Sequence, residues 1–350
     1  MTLLYPDPPG AGDVAATNTP ESSAMIAEIS SAALVDELTR ELDRRWSRRD
    51  DRIPDIAGYA LLAPGKMLRP LLLFGATEAV GGEWASVSPA ALAVEYLHVA
   101  TLVHDDVIDD DELRRGRPSV HARYGMADAL VTGDYLILTV FSTLAECDRP
   151  PAATLEAARV LADAGADVCR GQAREAELVG DPACEIADYE QMAALKTGAL
   201  FRGACRAGAI LGDGSPEQVE VITRYAEHLG VAFQIYDDIL PYLTDTDSAG
   251  KPKTSDIGNL RPTFPVLTGY RSATRTDQRQ FTEALSGRLP TEEAYRLMGE
   301  LLDRTGAIAT SRARATAEIA TARAELTGLP GAAGVELLSD IAEASINRDR

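Results

Sequence analysis

Lysine and cysteine are scarce in this 350-residue chain, and positive charge as a whole is in deficit. Its 34 basic residues face 54 acidic ones, and the formal net charge of -20 argues against nucleic acid or an anionic membrane surface as a partner. The four cysteines show no CxxC spacing, so they predict neither a zinc site nor a disulfide framework. An anionic substrate therefore needs a local cluster of cations or a bound metal ion to hold it.

Two further absences bear on location. Residues 1–39 contain neither Lys nor Arg, so they lack the charged start of a secretory signal. No apolar run reaches the length of a membrane-spanning helix. We therefore expect a cytoplasmic protein without a transmembrane segment.

Aromatic residues make up only 5% of the chain, and β-branched residues rarely recur at a spacing of two. Apolar residues recur instead at three- and four-residue spacing, which is typical of helices, and alanine is abundant. The sequence predicts an all-α fold. Residues 1–24, rich in Pro, Gly, Asn and Ser, predict a disordered tail, and residues 25–350 a single domain with a large core.

An acidic cluster ends a strongly apolar predicted helix. On this helix His98, Asp105 and Asp109 share one face, because steps of seven and four residues return to the same side. Asp106 lies beside them. Several carboxylates at the end of a buried helix are unfavourable unless cations neutralise them, and hard divalent ions such as Mg²⁺ take oxygen ligands. An acidic helix end that is merely solvated is the alternative interpretation.

A second acidic pair, Asp237 and Asp238, ends another apolar helix much later in the chain. Two such clusters on separate buried helices indicate facing walls of one metal site. Arg114 and Arg115 follow the first cluster and suit a phosphate-bearing ligand held against the same metal. The sequence therefore predicts a site for a divalent metal and a phosphate ester.

Four of the basic residues are lysines, and three of them lie in local patterns that favour phosphate binding. Lys66 and Arg69 lie one turn apart at the start of a predicted helix, where free backbone N–H groups also attract phosphate. Lys196 and Thr197 lie inside an apolar helix, where the lysine either snorkels to the surface or reaches into a polar pocket. Lys251 lies in a polar loop long enough to form a lid.

With these motifs in this order, the sequence resembles the trans-isoprenyl diphosphate synthases, the head-to-tail prenyltransferase family. The shared motifs are Gly-Lys-x-x-Arg-Pro70, His98, the Asp105-Asp-x-x-Asp109 cluster, Arg114-Arg-Gly-x-Pro118, Gly133-Asp134, Gly171-Gln172, Lys196-Thr197, Phe233-Gln-Ile-x-Asp-Asp238, Gly250-Lys251 and Arg261-Pro-Thr-Phe-Pro265. Each motif is weak alone, but the ordered set is specific. The resemblance implies one large bundle of long, mostly antiparallel helices around a central apolar cavity, of the isoprenoid synthase type, in a homodimer.

The resemblance also implies roles for the matching residues. The metal ligands and catalytic acids, for up to three Mg²⁺ ions, would be Asp105, Asp106, Asp109, Asp237 and Asp238. The allylic diphosphate would be bound by Arg114, Lys196, Thr197, Gln234 and Lys251, with Lys196 also catalytic. Isopentenyl diphosphate would be bound by Lys66, Arg69, His98 and Arg115.

The implied reaction is a Mg²⁺-dependent condensation of isopentenyl diphosphate with an allylic diphosphate, giving a longer linear all-trans prenyl diphosphate and diphosphate. Ionisation of the allylic C–O bond leaves a carbocation, while metal ions and fixed cations stabilise the leaving group. The double bond of isopentenyl diphosphate attacks the cation, and a proton is lost to the departing diphosphate. A dry apolar cavity keeps water from the cation.

Product length is expected to depend on Ala100 and Thr101, one turn before Asp105 on the predicted cavity wall. Neither side chain is bulky, so we predict a product of C20 or longer, such as geranylgeranyl diphosphate. Replacing Ala100 by Phe is expected to shorten it.

Two departures from the family pattern are Pro241, in place of a third Asp, and Leu260-Arg261, in place of Gly-Lys. Proline is expected to end its helix early, with Asp245 or Asp247 as substitute ligands. The alternative functions are a terpene cyclase (a lyase) on the same fold and a non-catalytic partner subunit of a synthase. The cyclase would not need the isopentenyl diphosphate site, and the partner subunit would be expected to lose acids of the first cluster.

Overall fold

The computed structural model describes residues 20–47, 50–63, 65–243 and 253–347, with side chains from residue 32 onward. Within these residues the first nine helices are α1 (Pro20–Trp46), α2 (Arg52–Leu61), α3 (Leu68–Ala79), α4 (Ser88–Ile108), α5 (Val120–Tyr124), α6 (Met126–Leu144), α7 (Pro151–Leu178), α8 (Ile186–Ala193) and α9 (Ala199–Leu211). The remainder are α10 (Pro216–Leu243), α11 (Ser255–Gly258), α12 (Phe264–Ser272), α13 (Arg275–Ala284), α14 (Thr291–Thr305), α15 (Ala307–Glu325) and α16 (Ala332–Ile346). A 3₁₀ turn spans Trp84–Val87 and a π-helical turn Ala194–Gly198.

The all-α prediction is confirmed, and the only strands among the described residues are β1 (Leu113–Arg114) and β2 (Arg117–Pro118). The first helix begins earlier than expected, at Pro20, inside the predicted tail 1–24. Proline is well tolerated in the first turn of a helix, where its missing N–H would have no partner. Residues 1–19 lie outside the described residues.

Helix α4 occupies the centre of the bundle. Apolar residues occur on every face of it as far as Val103, so it is buried on all sides. It packs against α3, α6 and α9, while α10 packs against α9, α15 and α16. Each fully buried Leu or Val side chain contributes roughly 1.5–3 kcal/mol. The central helix is thereby held firmly enough to carry a site at its end.

Two helices correct the expectation that no apolar segment reaches membrane-spanning length. Residues 84–108, which include α4, and the whole of α6 are long and apolar enough to cross a membrane, by length and composition alone. Of the most apolar window, 67% is buried inside the protein in the first case and 39% in the second. A buried core helix explains α4, whereas α6 presents an apolar face outward.

The end of α10 is anchored to a smaller second core between α11 and α15, which includes Phe281 and Met298. Pro241 was expected to end this helix, but α10 continues to Leu243. Proline so near the end removes only one helical hydrogen bond, and the Tyr295 hydroxyl donates to the Pro241 carbonyl. The rings of Tyr242 and Tyr295 stack with centroids 5.3 Å apart. The proposed substitute ligands at positions 245 and 247 lie outside the described residues.

Candidate active site

A cavity of about 1270 Å³ lies between α4, α6, α7 and α10. Its deep part is apolar, and its lining there includes Leu97, Ile137, Val140, Leu161 and Gly165. Its mouth carries nearly all the polar residues that the sequence singled out. This arrangement suits a ligand with a charged head and a long hydrocarbon tail.

The first acidic cluster does not present its three aspartates in the same way. Asp105 lines the cavity, whereas Asp106 is turned inward, with a side chain only 3% exposed. Asp106 accepts a hydrogen bond from Arg114 Nε at 2.7 Å, and the same guanidinium lies 3.9 Å from Asp105. The buried Asp106 thus orients Arg114 toward the cavity mouth, where Arg114 also lines the wall.

Asp109 accepts two hydrogen bonds of 2.8 Å from Arg261, the residue that replaces the family's lysine. Arg261 also lies 3.3 Å from Glu175. Although burial opposes the charge, the carboxylates of Glu175 and Asp109 raise the pKa of Arg261 above its ordinary value. The cation retained at position 261 therefore belongs to the site.

Lys196 reaches into the cavity and does not snorkel to the surface. Its Nζ donates to Glu175 and lies 3.7 Å from Asp105. The π-helical turn at this point redirects the helix, as such turns often do at functional sites. A Cβ atom on Gly171 would lie 2.4 Å from the Lys196 backbone nitrogen, so glycine there lets α7 approach the turn closely. The Gly171-Gln172 and Lys196-Thr197 motifs are thus two sides of one contact.

Asp237 and Asp238 both line the cavity, but Asp238 is only 4% exposed. Its Oδ2 accepts from the Tyr189 hydroxyl at 2.6 Å and from the Phe264 backbone N–H at 2.8 Å. Its Oδ1 accepts from Gln234 Nε2 at 2.8 Å. Burial raises the pKa of Asp238 to about 7 against these donors. Both oxygens of Asp238 therefore accept hydrogen bonds from the protein itself.

The four residues predicted to bind isopentenyl diphosphate all line one end of the cavity: Lys66, Arg69, His98 and Arg115. Arg69 Nη1 lies 3.0 Å from His98 Nε2. Burial, reinforced by the neighbouring Arg69 and Arg115, holds the pKa of His98 well below its ordinary range, so the imidazole is neutral at pH 7. Burial lowers the pKa of Arg69 to about 10, which still leaves it charged.

A short hairpin places the two consecutive arginines on different partners. Arg115 (φ 52°) and Gly116 (φ 74°) form its turn, which has the left-handed backbone that twisted two-residue hairpins need. Arg115 Nη1 donates to the Ala63 carbonyl at 3.0 Å. A Cβ on Gly65 would lie 2.7 Å from this guanidinium, so the glycine of the Gly-Lys-x-x-Arg-Pro motif makes room for it.

Two acids at the site were missed by sequence reasoning. Glu95 lies in α4 one turn before His98, is 2% exposed and has no hydrogen-bond partner on Oε2. Glu175 bridges two cations from α7. The available signal for Glu95 was an isolated acid in an apolar helix, one turn before His98. Glu175 lies among other charged residues of α7, and the signal there was its position one turn after the Gly171-Gln172 motif.

Of the two residues predicted to set product length, only one lies on the wall of the cavity. Thr101 lines the cavity, whereas Ala100 is fully buried and is not among the lining residues. Successive residues of a helix point about 100° apart, so a one-residue step is enough to turn a side chain from the cavity into the core. Lys251 lies outside the described residues.

The donor set fits a divalent metal. Carboxylate oxygens from Asp105 on α4 and Asp237 on α10 face one cavity, and Asp109 lies one turn beyond Asp105. Hard cations prefer such oxygen ligands. Among the described residues no three ligating side chains are already gathered into a cluster. Arg114 and Lys196 lie beside Asp105, and Arg261 is hydrogen-bonded to Asp109.

The fold and this site define an all-α enzyme that acts on the diphosphate of a long apolar substrate. The comparisons with known proteins agree. A sequence model described as polyprenyl synthetase matches residues 50–299. Geranylgeranyl diphosphate synthase of Methanosarcina mazei is 34% identical over 229 residues, covering 65% of this chain and 71% of that protein. Short chain isoprenyl diphosphate synthase of Methanothermobacter thermautotrophicus is 33% identical over 291 residues, covering 83% of this chain and 89% of that protein.

Among solved structures, the polyprenyl synthase of Caulobacter crescentus in complex with calcium and isoprenyl diphosphate superposes with a TM-score of 0.85 at 28% identity, covering 93% of this chain and 98% of that one. The chain belongs to the polyprenyl synthetase family. The predictions of an isoprenoid synthase fold and of a trans-prenyl diphosphate synthase are confirmed. Enzymes of this family use divalent metal ions and isoprenyl diphosphate substrates.

Proposed function

We propose that this enzyme condenses isopentenyl diphosphate with an allylic diphosphate to form a linear all-trans prenyl diphosphate of C20 or longer. The observation that supports it is one cavity in which two polar sites meet a deep apolar channel. The acids of α4 and α10 lie at one site, and Lys66, Arg69, His98 and Arg115 lie at the other. A terpene cyclase does not need the isopentenyl diphosphate site, and a non-catalytic subunit does not need the acidic site.

The metal would be Mg²⁺, and up to three ions would be held by Asp105 and Asp109 at the end of α4 and by Asp237 of α10. When bound, these ions supply Lewis-acid stabilisation of the diphosphate leaving group. Asp106 supports the first wall through Arg114, and Asp238 supports the second through Gln234. Three of the five acids predicted from the sequence are thus metal ligands, and the other two, Asp106 and Asp238, position neighbouring side chains.

The chain's own cations bind the allylic diphosphate. Arg114 and Lys196 line the cavity beside Asp105 and keep their positive charge close to the oxygens that become negative as the C–O bond breaks. Arg261 adds a third cation. Lys251 is assigned to the same group from its motif. Glu175, between Lys196 and Arg261, keeps both from moving into solvent.

Isopentenyl diphosphate is held by Lys66, Arg69 and Arg115, with the neutral imidazole of His98 beside them. Its double bond attacks the allylic cation. The proton released in this step passes to the departing diphosphate, the strongest base nearby. The apolar walls of the cavity exclude water, which would otherwise capture the cation.

Small residues on α7 leave room for a long product. Ala162, Gly165 and Ala166 line the cavity on this helix, and Thr101 faces them from α4. Thr101, one turn below Asp105, is small enough for the growing chain to pass it. These small residues support a product of C20 or longer.

The experiment that tests the function is incubation of the purified protein with Mg²⁺, isopentenyl diphosphate and one allylic diphosphate at a time, with products identified by mass. Linear diphosphates that lengthen by five-carbon steps to C20 or beyond support the proposal. Products that stop at C15 contradict the assigned length. Cyclised hydrocarbon formed from the allylic substrate alone contradicts the chain-elongation reaction.

The enzyme acts as a cytoplasmic homodimer in which α6 faces the same helix of a second copy. Large apolar side chains are exposed along α6, among them Val131 (51%), Leu138 (68%) and Phe141 (46%). Exposed apolar faces of this size mark contact surfaces. Phe141 also lines the cavity, so a copy that covers α6 closes one side of the active site as well.

A further inference from the structure

We propose that Asp238 is a positioning residue and not a metal ligand: its carboxylate orients the side-chain amide of Gln234 so that the amide oxygen faces Thr197 and the reacting end of the cavity. The hydrogen bonds of the second acidic pair carry this inference. It rests on the proposed function in one respect: Gln234 and Thr197, assigned to the allylic diphosphate from their motifs, are placed beside the allylic group that reacts.

The chemistry of the donors and acceptors sets the orientation of the amide. Oδ2 of Asp238 already accepts two hydrogen bonds, and its Oδ1 accepts from the Gln234 side-chain NH₂ at 2.8 Å. The amide oxygen then points the other way, where the Thr197 hydroxyl donates to it at 2.6 Å. Both side chains line the cavity. Asp238 thereby decides which atom of Gln234 is presented there.

Asp238 is itself held from two other elements. The Tyr189 hydroxyl on α8 and the Phe264 backbone N–H at the start of α12 both donate to its Oδ2. The backbone donor cannot rotate away or become an acceptor. Three elements therefore converge on a carboxylate that is 4% exposed, and its position is rigid.

The orientation of the amide matters because positive charge develops beside it. The allylic group becomes a cation when its C–O bond breaks, and an amide oxygen directed toward it lowers the energy of that state. The NH₂ group carries the opposite partial charge and raises that energy. A fixed dipole of the correct sign is a form of electrostatic catalysis that needs no rearrangement during the reaction.

The substitution Asp238→Asn reverses this dipole with almost no change in shape. The oxygen of the new amide must occupy the Oδ2 position, because the Phe264 N–H requires an acceptor there. Its NH₂ group then faces Gln234, and two donors oppose each other. Gln234 relieves the clash by turning its amide over, which places its own NH₂ beside Thr197.

We expect Asp238→Asn to lower kcat by about 10- to 100-fold while leaving the Mg²⁺ concentration for half-maximal rate and the KM for isopentenyl diphosphate within about twofold of wild type. Asp237→Asn, the matched change at the neighbouring acid, is expected to raise the Mg²⁺ requirement instead. Tyr189→Phe removes one donor and leaves Gln234 oriented, so its kcat stays within a few-fold of wild type.

A double variant provides the decisive test. In Asp238→Asn with Gln234→Glu the asparagine NH₂ donates to one glutamate oxygen, and the other oxygen again accepts from Thr197. The net charge equals that of wild type. We expect kcat to recover by at least about tenfold over Asp238→Asn alone, a rescue that a purely structural role would not produce.

Three results would overturn the inference: a Mg²⁺ requirement raised by Asp238→Asn as by Asp237→Asn, an unchanged kcat in Asp238→Asn, or no recovery in the double variant. If Asp238→Asn alone does not fold, as judged by thermal unfolding, the folded double variant decides in its place. The Mg²⁺ requirement of the double variant must then match that of wild type, and its kcat must lie within about tenfold of the wild-type kcat. The wild-type enzyme is measured in the same assay. If it gives no prenyl diphosphate, the proposed reaction itself is wrong, whereas the three results above concern only Asp238.

Discussion

The buried carboxyl group of Glu95 makes the stability of the fold depend on pH. Burial raises its pKa from 4.5 to about 7, although Arg115 and Arg69 act against the shift. The folded state therefore binds more protons than the unfolded chain between these two values. Stability from this group is complete below pH 4.5 and is lost as the pH rises through 7, by on the order of 3 kcal/mol.

Glu95→Gln tests this linkage, because it removes the titrating group and nearly keeps the shape. We expect the free energy of unfolding of the variant, relative to wild type, to be higher at pH 8 than at pH 5 by about 2–3 kcal/mol. Denaturant titrations of both proteins at the two pH values measure it. Asp238 titrates alike in both proteins and cancels. Equal pH dependence of the two proteins would contradict the prediction.

Thr101→Phe is expected to shorten the product by at least one five-carbon unit. Thr101 lines the cavity one turn below Asp105, and its hydroxyl is already bonded within the helix to the His98 carbonyl at 2.7 Å. A phenyl ring in its place occupies the path of the hydrocarbon chain. Mass analysis of the products measures the change.

Thr101→Val serves as the control, since it keeps the size of the side chain and should keep the product. An unaltered product from Thr101→Phe would show that the chain does not pass this residue. Ala100→Phe, which was expected to act in this way, instead adds a ring to a filled core. It should destabilise the fold by about 1–3 kcal/mol.

Among the elements, α7 and the π-helical turn lie so close together that their contact has no room for added volume. Gly171→Ala places a methyl group 2.4 Å from backbone at Lys196, so one element must move. We expect a loss of stability of about 1–3 kcal/mol and a lower kcat, because Lys196 moves with the turn. Thermal unfolding and steady-state rates measure both effects.

Gly165→Ala is the matched control on the same helix. The nearest atom to its new methyl group is a Leu97 side-chain carbon at 3.5 Å, an ordinary contact. Alanine favours a helix over glycine by about 1 kcal/mol, so this variant should be as stable as wild type or more so. Equal effects of the two substitutions would rule out the close contact at Gly171.

For the whole molecule, the proposed dimer through α6 predicts that Leu138→Lys gives a monomer. The side chain is 68% exposed at the centre of the apolar face of α6, and burying an ammonium group there opposes association. Light scattering after size-exclusion chromatography measures the mass. Activity should fall with dimer content, since Phe141 then leaves one side of the cavity open to water.

Ala309→Lys, at an exposed position of α15 remote from α6, should leave both mass and activity unchanged. A wild-type protein that is monomeric at assay concentrations would contradict the assigned interface. A Leu138→Lys protein that remains dimeric would place the interface on another surface.

The helical class and the site's chemical composition were predictable because both depend on local order in the chain. The repeat of apolar residues sets the period of α4, and the period places Asp105 and Asp109 on one side of it. The four residues Lys66, Arg69, His98 and Arg115 come from three segments, and each lies in one motif of an ordered set that is specific as a whole. Most of the proposed site residues could therefore be named from the sequence, whereas Glu95 and Glu175, which belong to none of these motifs, could not.

The sequence by itself determined which residue types meet at the cavity: carboxylates on two helices, cations around them and small residues below. Tertiary structure alone decided how each is used. Asp237 and Asp238 both line the cavity, but Asp238 is almost fully buried and accepts hydrogen bonds from Tyr189 and Gln234 on two different helices. The reason is physical. Periodicity specifies the side of a helix, but the donors that reach a given oxygen come from other elements, and only their packing brings them there.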